Sequence, residues 1–230
     1  MPNIQTNKIW KTLQNDDSRI VVHQGGTRSG KTYNILVWII GSYLTQNTGK
    51  TVTICRKTYP ALRASSMRDF IEIFTRFGFY NDRKFNKSLS EIHFRGNLIE
   101  FISIDQPQKI RGRKRDLLFI NEANELSLED WRQLSFRTTE RIIMDYNPSM
   151  EFHWIYDEVI PRDDSVFHKT TYKDNPFLEP EIVNEIERLK DVDPWYWAVY
   201  GLGEPMGSTE IIYRYEALDI ESLKDDEGQM

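Results

Sequence analysis

Eight consecutive residues, Gly25-Gly26-Thr27-Arg28-Ser29-Gly30-Lys31-Thr32, fit the pattern G-x-x-x-x-G-K-[ST] at every fixed position. The pattern constrains the fold because it works only between a buried strand and a helix. Ile20-Val21-Val22 before it is β-branched and apolar and reads as a short buried strand. Tyr33 to Ile40 after it reads as a buried helix. Glycines let the backbone wrap closely and turn its N–H groups inward. The helix that follows points its positive N-terminal end at the same spot. Lys31 has the reach for β- and γ-phosphates, and the Thr32 hydroxyl has the chemistry to bind Mg²⁺.

The chain has 230 residues, enough for one large α/β domain or a domain with a small appendage. Hydrophobic residues at 39% and charged residues at 28% suit a soluble globular protein. No apolar run has the length of a membrane span, and the first residues lack the apolar core of a signal peptide. The single Cys55 has no partner for an internal disulfide, so a reducing compartment is expected. A net charge of −5 argues against a constitutive nucleic-acid coat and leaves a local basic face open.

Ahead of the loop, Ile4, Ile9, Trp10 and Leu13 recur at helical spacing. Gln5 and Trp10 are candidates for the wall of a nucleotide base, against ordinary packing as the plainer reading. Thr51 to Cys55 reads as a second strand, ending in Arg56-Lys57 with Arg63 beyond. Ligands of open α/β sheets bind at the carboxyl ends of strands, so these cations read as phosphate or DNA contacts or as a solvated loop. Residues 61–77 read as one helix, with Leu62, Phe70, Ile71, Phe74 and Phe77 as its stripe and Gly78 as its stop. Residues 91–102 read as a hairpin turning at Gly96-Asn97. The basic run Lys109 to Arg115 reads as an exposed loop feeding the next strand.

That strand, Leu117-Leu118-Phe119-Ile120, is continuously apolar and delivers Asn121-Glu122. A carboxylate at the end of a buried strand beside a phosphate loop is the second half of a nucleotide hydrolase: Glu122 orients or deprotonates the attacking water. Ser127 and Asp130 predict a capping box. Arg141 to Met144 reads as a further strand ending in Asp145-Tyr146-Asn147-Pro148, with Pro148 forcing a turn after Asn147. An amide fixed there can bond both water and phosphate. Beyond it, Ile182, Ile186 and Leu189 predict an amphipathic helix, and Pro194 to Gly201 an aromatic helix that stops at its glycine.

Taken in order, these motifs resemble the ATPase domain of the large terminase subunit of tailed bacteriophages. The resembling segments include the glycine loop, Arg56-Lys57, Ile110-Arg111-Gly112, Phe119 to Glu125, Tyr146-Asn147-Pro148, Thr171 to Pro176 and Tyr200 to Glu204. The resemblance implies an α/β P-loop NTPase of the additional-strand, catalytic-glutamate class. Its mostly parallel central sheet would be flanked by helices, with a small helical lid subdomain. The strand ending at Asn147 would then lie between the glycine-loop strand and the Glu122 strand. The expected division is a core over residues 1–150, a lid and closing segment over 151–213, and an acidic tail or linker over 214–230.

By the same resemblance, ATP and Mg²⁺ are the expected cofactors. Gly25, Gly26, Thr27, Arg28, Ser29, Gly30, Lys31 and Thr32 would hold the nucleotide. Thr32 and, through water, Asn121 would hold the metal. Glu122, Asn147, Arg28 and Arg111 would be catalytic, the two arginines being rivals for the finger role. The expected partners are double-stranded DNA, copies of the chain in a ring, a portal protein and the small terminase subunit, with no membrane. The expected setting is the host cytoplasm and, transiently, the procapsid portal. Arg56, Lys57, Arg63, Arg113 and Lys114 are candidate DNA contacts.

Two departures stand out. The family usually has Asp before the catalytic Glu, where this chain has Asn121; weaker Mg²⁺ binding is expected, with Asp145 or Asp116 as compensating carboxylates. Complete members also carry an RNase H-like nuclease, and this chain is expected to act without nuclease activity. The competing readings are a helicase-like remodeller and an ATP-binding switch with little turnover. A kinase fits less well, because a strand-end glutamate aimed at water favours hydrolysis.

Overall fold

The computed structural model of the chain describes residues 4–81, 85–105, 114–149 and 153–206. Helix α1 (Lys8–Asn15) is capped by the Asn7 side chain and buries Ile9 and Leu13. Strand β1 (Ile20–Gly25) is buried along its whole length, as its apolar run implies. It enters the glycine loop, and α2 (Lys31–Trp38) leaves it. That helix runs on through a π turn, Ile39–Tyr43, and a last turn, α3 (Leu44–Gln46).

After β2 (Thr51–Arg56) the single helix expected over 61–77 is two, α4 (Tyr59–Ala64) and α5 (Ser66–Arg76). The break is at Ser65, whose φ is −121° and ψ −105°. Its hydroxyl donates to Ala61 O at 2.7 Å and accepts from Arg56 Nη1 at 2.7 Å. A serine bonded four residues back competes with the helix it sits in. Pro60 in the first turn starts α4 earlier than the apolar stripe suggests. Gly78 ends α5 as expected, with φ +73° and its N–H on Thr75 O at 2.9 Å.

Strands β3 (Phe85–Asn86), β4 (Glu91–Phe94) and β5 (Asn97–Ser103) form an antiparallel meander. The expected hairpin is there, but its turn is one residue earlier. Phe94 pairs with Asn97, so Arg95 and Gly96 are the central pair, at φ 50° and 78°. Two left-handed residues are what a tight hairpin needs to match strand twist. Asn97 is instead buried, accepting from Lys50 N at 2.9 Å and donating to Asn47 O at 2.8 Å.

The remaining elements are β6 (Arg115–Asn121), α6 (Leu128–Ser135), β7 (Thr138–Tyr146), β8 (Ser165–Thr170), α7 (Pro180–Val192) and α8 (Pro194–Tyr196). The Ser127–Asp130 capping box at the start of α6 is formed in both directions. The eight strands lie in the order β3-β4-β5-β2-β6-β7-β1-β8, parallel from β5 to β8. As expected, β7 separates the glycine-loop strand from the strand of Glu122.

Alternate residues of β6 feed two apolar layers. Leu117 and Phe119 join Ile35, Leu36, Phe70 and Phe74 on one face, and Leu118 and Ile120 join Trp131 and Leu134 on the other. Each such side chain contributes roughly 1.5–3 kcal/mol by leaving water, which fixes the strand ends that carry the site.

Three features beyond residue 150 differ from the sequence reading. β8 pairs with β1 from Ile20↔Ser165 to Gly25↔Thr170, so this segment is the edge strand of the main sheet. α7 buries no residue, and Ile182 is 37% exposed, so only Ile186 and Leu189 of its stripe turn inward. The aromatic helix continues past Gly201 as a π turn, Trp197–Leu202, and ends at Gly203 with φ +66°.

Candidate active site

The glycine loop is shaped by close approach. A side chain at Gly25 would meet Thr170 O at 2.3 Å, and one at Gly26 would meet Gly201 O at 2.3 Å. Backbone bonds tie the same parts together: Gly26 N donates to Thr170 O at 3.1 Å and Thr27 N to Tyr200 O at 2.5 Å. Gln24 Nε2 reaches Gly203 O at 2.8 Å. On the outer side, Asn7 Nδ2 donates to Ser29 O at 3.0 Å and Asn175 Nδ2 to Arg28 O at 2.8 Å. The loop is thus clamped from both sides by other parts of the chain.

Lys31 is folded into this loop. Its Nζ donates to Gly25 O and Gly26 O at 2.9 Å, and to Asn147 Oδ1 at 2.8 Å. Burial lowers its pKa from the ordinary 10.5, against the pull of Asp145 and Glu122. Asn147 Nδ2 donates to Thr27 Oγ1 at 3.3 Å, so one amide spans both ends of the loop.

At the ends of β6 and β7, Asn121 and Asp145 are direct register partners. Thr32 Oγ1 donates to Asp145 Oδ2 at 2.6 Å. Asp145 Oδ1 accepts from Asn121 Nδ2 at 2.9 Å and from Glu122 N at 3.1 Å. Glu122 sits at φ 54°, ψ 56°, a left-handed conformation that costs a non-glycine residue about 1 kcal/mol or more. Its N–H bond to Asp145 helps hold it there. Burial first, and then the Asp145 charge, push the Glu122 carboxyl up to about 7. A general base with a pKa near neutrality is well matched to taking a proton from water.

One open cleft is lined by Thr27 to Thr32 together with Glu122, Asn147, Asn175 and Leu178. Six of the eight loop residues, Thr27 to Thr32, thus share the cleft with Glu122 and Asn147, while Gly25 and Gly26 meet Lys31 Nζ through their carbonyls. Arg28 belongs to the loop, exposed at φ 64°. Arg111 and Arg113 lie outside the described residues. Trp10 packs against the apolar layer, and Gln5 is exposed. The element before the loop touches it through Asn7, a residue whose only sequence signal is helix capping. Arg56 is held by Glu125, at 3.2 Å, and by Ser65; Lys57 lies 3.8 Å from Asp130. Arg63 lines a separate groove with Tyr59, Arg68 and Lys87.

The same corner fits a divalent cation. Asn121 is 2% exposed, and its Oδ1 has no hydrogen-bond partner, a costly state for a buried oxygen. Thr32 Oγ1 lies 3.3 Å from the other end of that amide. Among the described residues no group of three or more His, Cys, Asp or Glu can hold a metal alone. Mg²⁺ needs only one or two protein groups, keeping several waters and drawing the rest from phosphates.

A glycine loop between a buried parallel strand and a helix, with a glutamate ending the strand next but one, defines a P-loop nucleoside-triphosphatase fold of the additional-strand class. The chain belongs to the phage terminase large subunit family, whose sequence model matches residues 17–204. It is 23% identical over 229 residues to the PBSX phage terminase large subunit of Bacillus subtilis strain 168, covering 87% of this chain and 52% of that protein. It is 25% identical over 236 aligned positions to the large terminase subunit of Bacillus phage SPP1, covering 93% and 55%. The chain thus spans about half the length of the curated relatives it matches.

Among solved structures, the large terminase of a thermophilic bacteriophage superposes with a TM-score of 0.74 at 18% identity, over 87% of this chain and 53% of that one. The same protein is also known in complex with ADP, at a TM-score of 0.70, 17% identity and coverages of 86% and 53%. The large terminase ATPase domain of Thermus phage P74-26 gives 0.66 at 15% identity, over 88% and 94%. No helix among the described residues is long and apolar enough to cross a membrane.

Proposed function

We propose that this chain is the ATPase part of a viral DNA-packaging motor. It hydrolyses ATP and uses the cycle to drive double-stranded DNA into a procapsid. The observation that carries this reading is the meeting of Lys31, Glu122 and Asn147 around one cleft, from three adjacent parallel strand ends. The known family and the ADP complex of a structural relative support it.

In this reading the loop N–H groups and Lys31 bind the phosphates. Glu122 holds the attacking water and accepts its proton. Asn147, which bonds Lys31 and Thr27, reports to β7 whether Lys31 has turned to a phosphate. Thr32 and Asn121 would hold Mg²⁺, which would supply positive charge against the charge that develops in transfer. Residues 1–150 form the core, with β8 completing its sheet, and the helices to about residue 206 form a lid over the cleft. The chain works as a ring of copies at a portal, with the small terminase subunit delivering DNA, in the host cytoplasm and at the procapsid.

Arg111 is the proposed finger reaching a neighbour's nucleotide, with Arg28 acting within its own site. Mixing separates these roles. Glu122→Gln and Arg111→Ala are each expected to be inactive, and an equal mixture to regain Mg²⁺-dependent ATP hydrolysis that rises with protein concentration. A flat specific rate with fully active Arg111→Ala contradicts the trans assignment.

A further inference from the structure

The family's metal-site carboxylate is missing from β6, yet a carboxylate stands beside the vacated position. Asp145 is the direct register partner of Asn121 on the adjacent strand, and it is 1% exposed. Asp116, the other candidate, is at the far end of β6. It accepts from Thr51 N at 2.8 Å and Thr139 Oγ1 at 3.2 Å, away from the cleft. Resting on the ATPase reading above, we propose that Asp145 on β7 supplies the charge of the Mg²⁺ shell, so that Asn121 and Asp145 have divided the work of one aspartate between two strands.

Hydrogen-bond polarity supports the division. The only proton of the Thr32 hydroxyl goes to Asp145 Oδ2, at 2.6 Å. One of its lone pairs accepts from Asn121 Nδ2 at 3.3 Å, and the other is left to face a cation. The Asn121 amide is pinned the same way: Nδ2 donates to Asp145 Oδ1 at 2.9 Å, which leaves Oδ1 without a partner. One buried carboxylate thus orients two neutral oxygens and provides the negative charge that neither carries. A buried carboxylate held only by neutral donors is costly without a cation nearby. Asp145 acts electrostatically on Lys31, and phosphates would compete for that lysine. A divalent ion held here would offset the Asp145 charge in its place.

A purely structural role for Asp145, pinning Glu122 N, makes a different prediction. It would affect nucleotide binding equally with and without metal. The test is calorimetric titration of ADP into the chain in Mg²⁺ and in EDTA, alongside Mn²⁺ titration of the ADP complex followed by electron paramagnetic resonance. In the native chain Mg²⁺ should tighten ADP binding. In Asp145→Asn at least tenfold of that tightening should be lost, with metal-free ADP binding unchanged or stronger, and Mn²⁺ should bind correspondingly weakly. The exchanged pair, Asn121→Asp with Asp145→Asn, puts the charge back on β6 at the same register. It should recover the Mg²⁺ effect, and it carries the test should the single variant fold poorly. Retention of the full Mg²⁺ effect in Asp145→Asn overturns the proposal. So does an exchanged pair that binds ADP and ignores Mg²⁺. A native chain that binds no ADP in either buffer overturns the nucleotide reading itself, a different result.

Discussion

Replacing Glu122 by Gln should stabilise the nucleotide-free chain, and only on the alkaline side. Burial and the neighbouring Asp145 charge raise the Glu122 carboxyl from the ordinary 4.5 to about 7. Between those values the folded chain keeps a proton that the unfolded chain has released. Stability therefore falls as pH rises from about 4.5 to about 7, and levels off above. At about 1.4 kcal/mol per pKa unit the full penalty is roughly 3 kcal/mol. Glu122 keeps some contact with water, and screening reduces this to about 1–2 kcal/mol. Gln cannot ionise and so escapes the penalty. Glu122→Gln should match the native chain at pH 5 and melt higher at pH 8 by about 2–8 °C, given roughly 2–4 °C per kcal/mol for a domain of this size. Thermal unfolding by circular dichroism, in EDTA and without nucleotide, reads this directly. Titrating groups that do not interact with Glu122 are common to both chains and cancel in the difference. A variant that gains nothing between pH 5 and pH 8 would refute the claim that a charged Glu122 is held at a cost.

Two further outcomes follow from the same reasoning. His23 is 0% exposed, stacks on His168 at 5.2 Å, and has neither ring nitrogen hydrogen-bonded; burial lowers its pKa from 6.5 to about 3. The unfolded chain takes up that proton first, so stability is lost as pH falls from 6.5 toward 3, and His23→Phe should recover about 2 kcal/mol at pH 5 in urea unfolding. Gly203 has φ +66°, and a side chain there would lie 2.6 Å from Gly25 Cα. Gly203→Ala should therefore cost about 2 kcal/mol or more and weaken ADP binding at the loop it displaces, whereas Gly49→Ala, with φ +73° and open space around it, should cost about 1 kcal/mol and leave ADP binding unchanged.

What could be read from the sequence was whatever sits in one contiguous stretch. The glycine loop, Glu122 after an apolar strand and Asn147 before a proline each carry their own local signal, and the sheet brings them together. What could not be read depends on chain segments meeting. Asn7 and Asn175 brace the loop from 22 and 147 residues away, and nothing local distinguishes them from other asparagines. Gly203 falls within the resembling segment Tyr200 to Glu204, but nothing local shows that it packs against Gly25. Asp145 was a candidate by its type; only strand adjacency put it beside Asn121. The hairpin turn was misplaced by one residue because Gly96-Asn97 and Arg95-Gly96 are both acceptable pairs, and burial of Asn97 decides between them. The division at residue 150 separated β8 from the sheet it belongs to, since an edge strand of polar composition resembles a connector.

The central claim is that this cleft hydrolyses ATP with Glu122 as base, and phosphate release tests it most directly. The native chain, given ATP and Mg²⁺ at high protein concentration with double-stranded DNA and no other acceptor, should release inorganic phosphate steadily. Glu122→Gln should still bind ATP and should lose at least a hundredfold in rate, the scale of a general base in such sites. Native chain that binds ATP without releasing phosphate, or a Glu122→Gln variant that turns over at the native rate, would contradict the account.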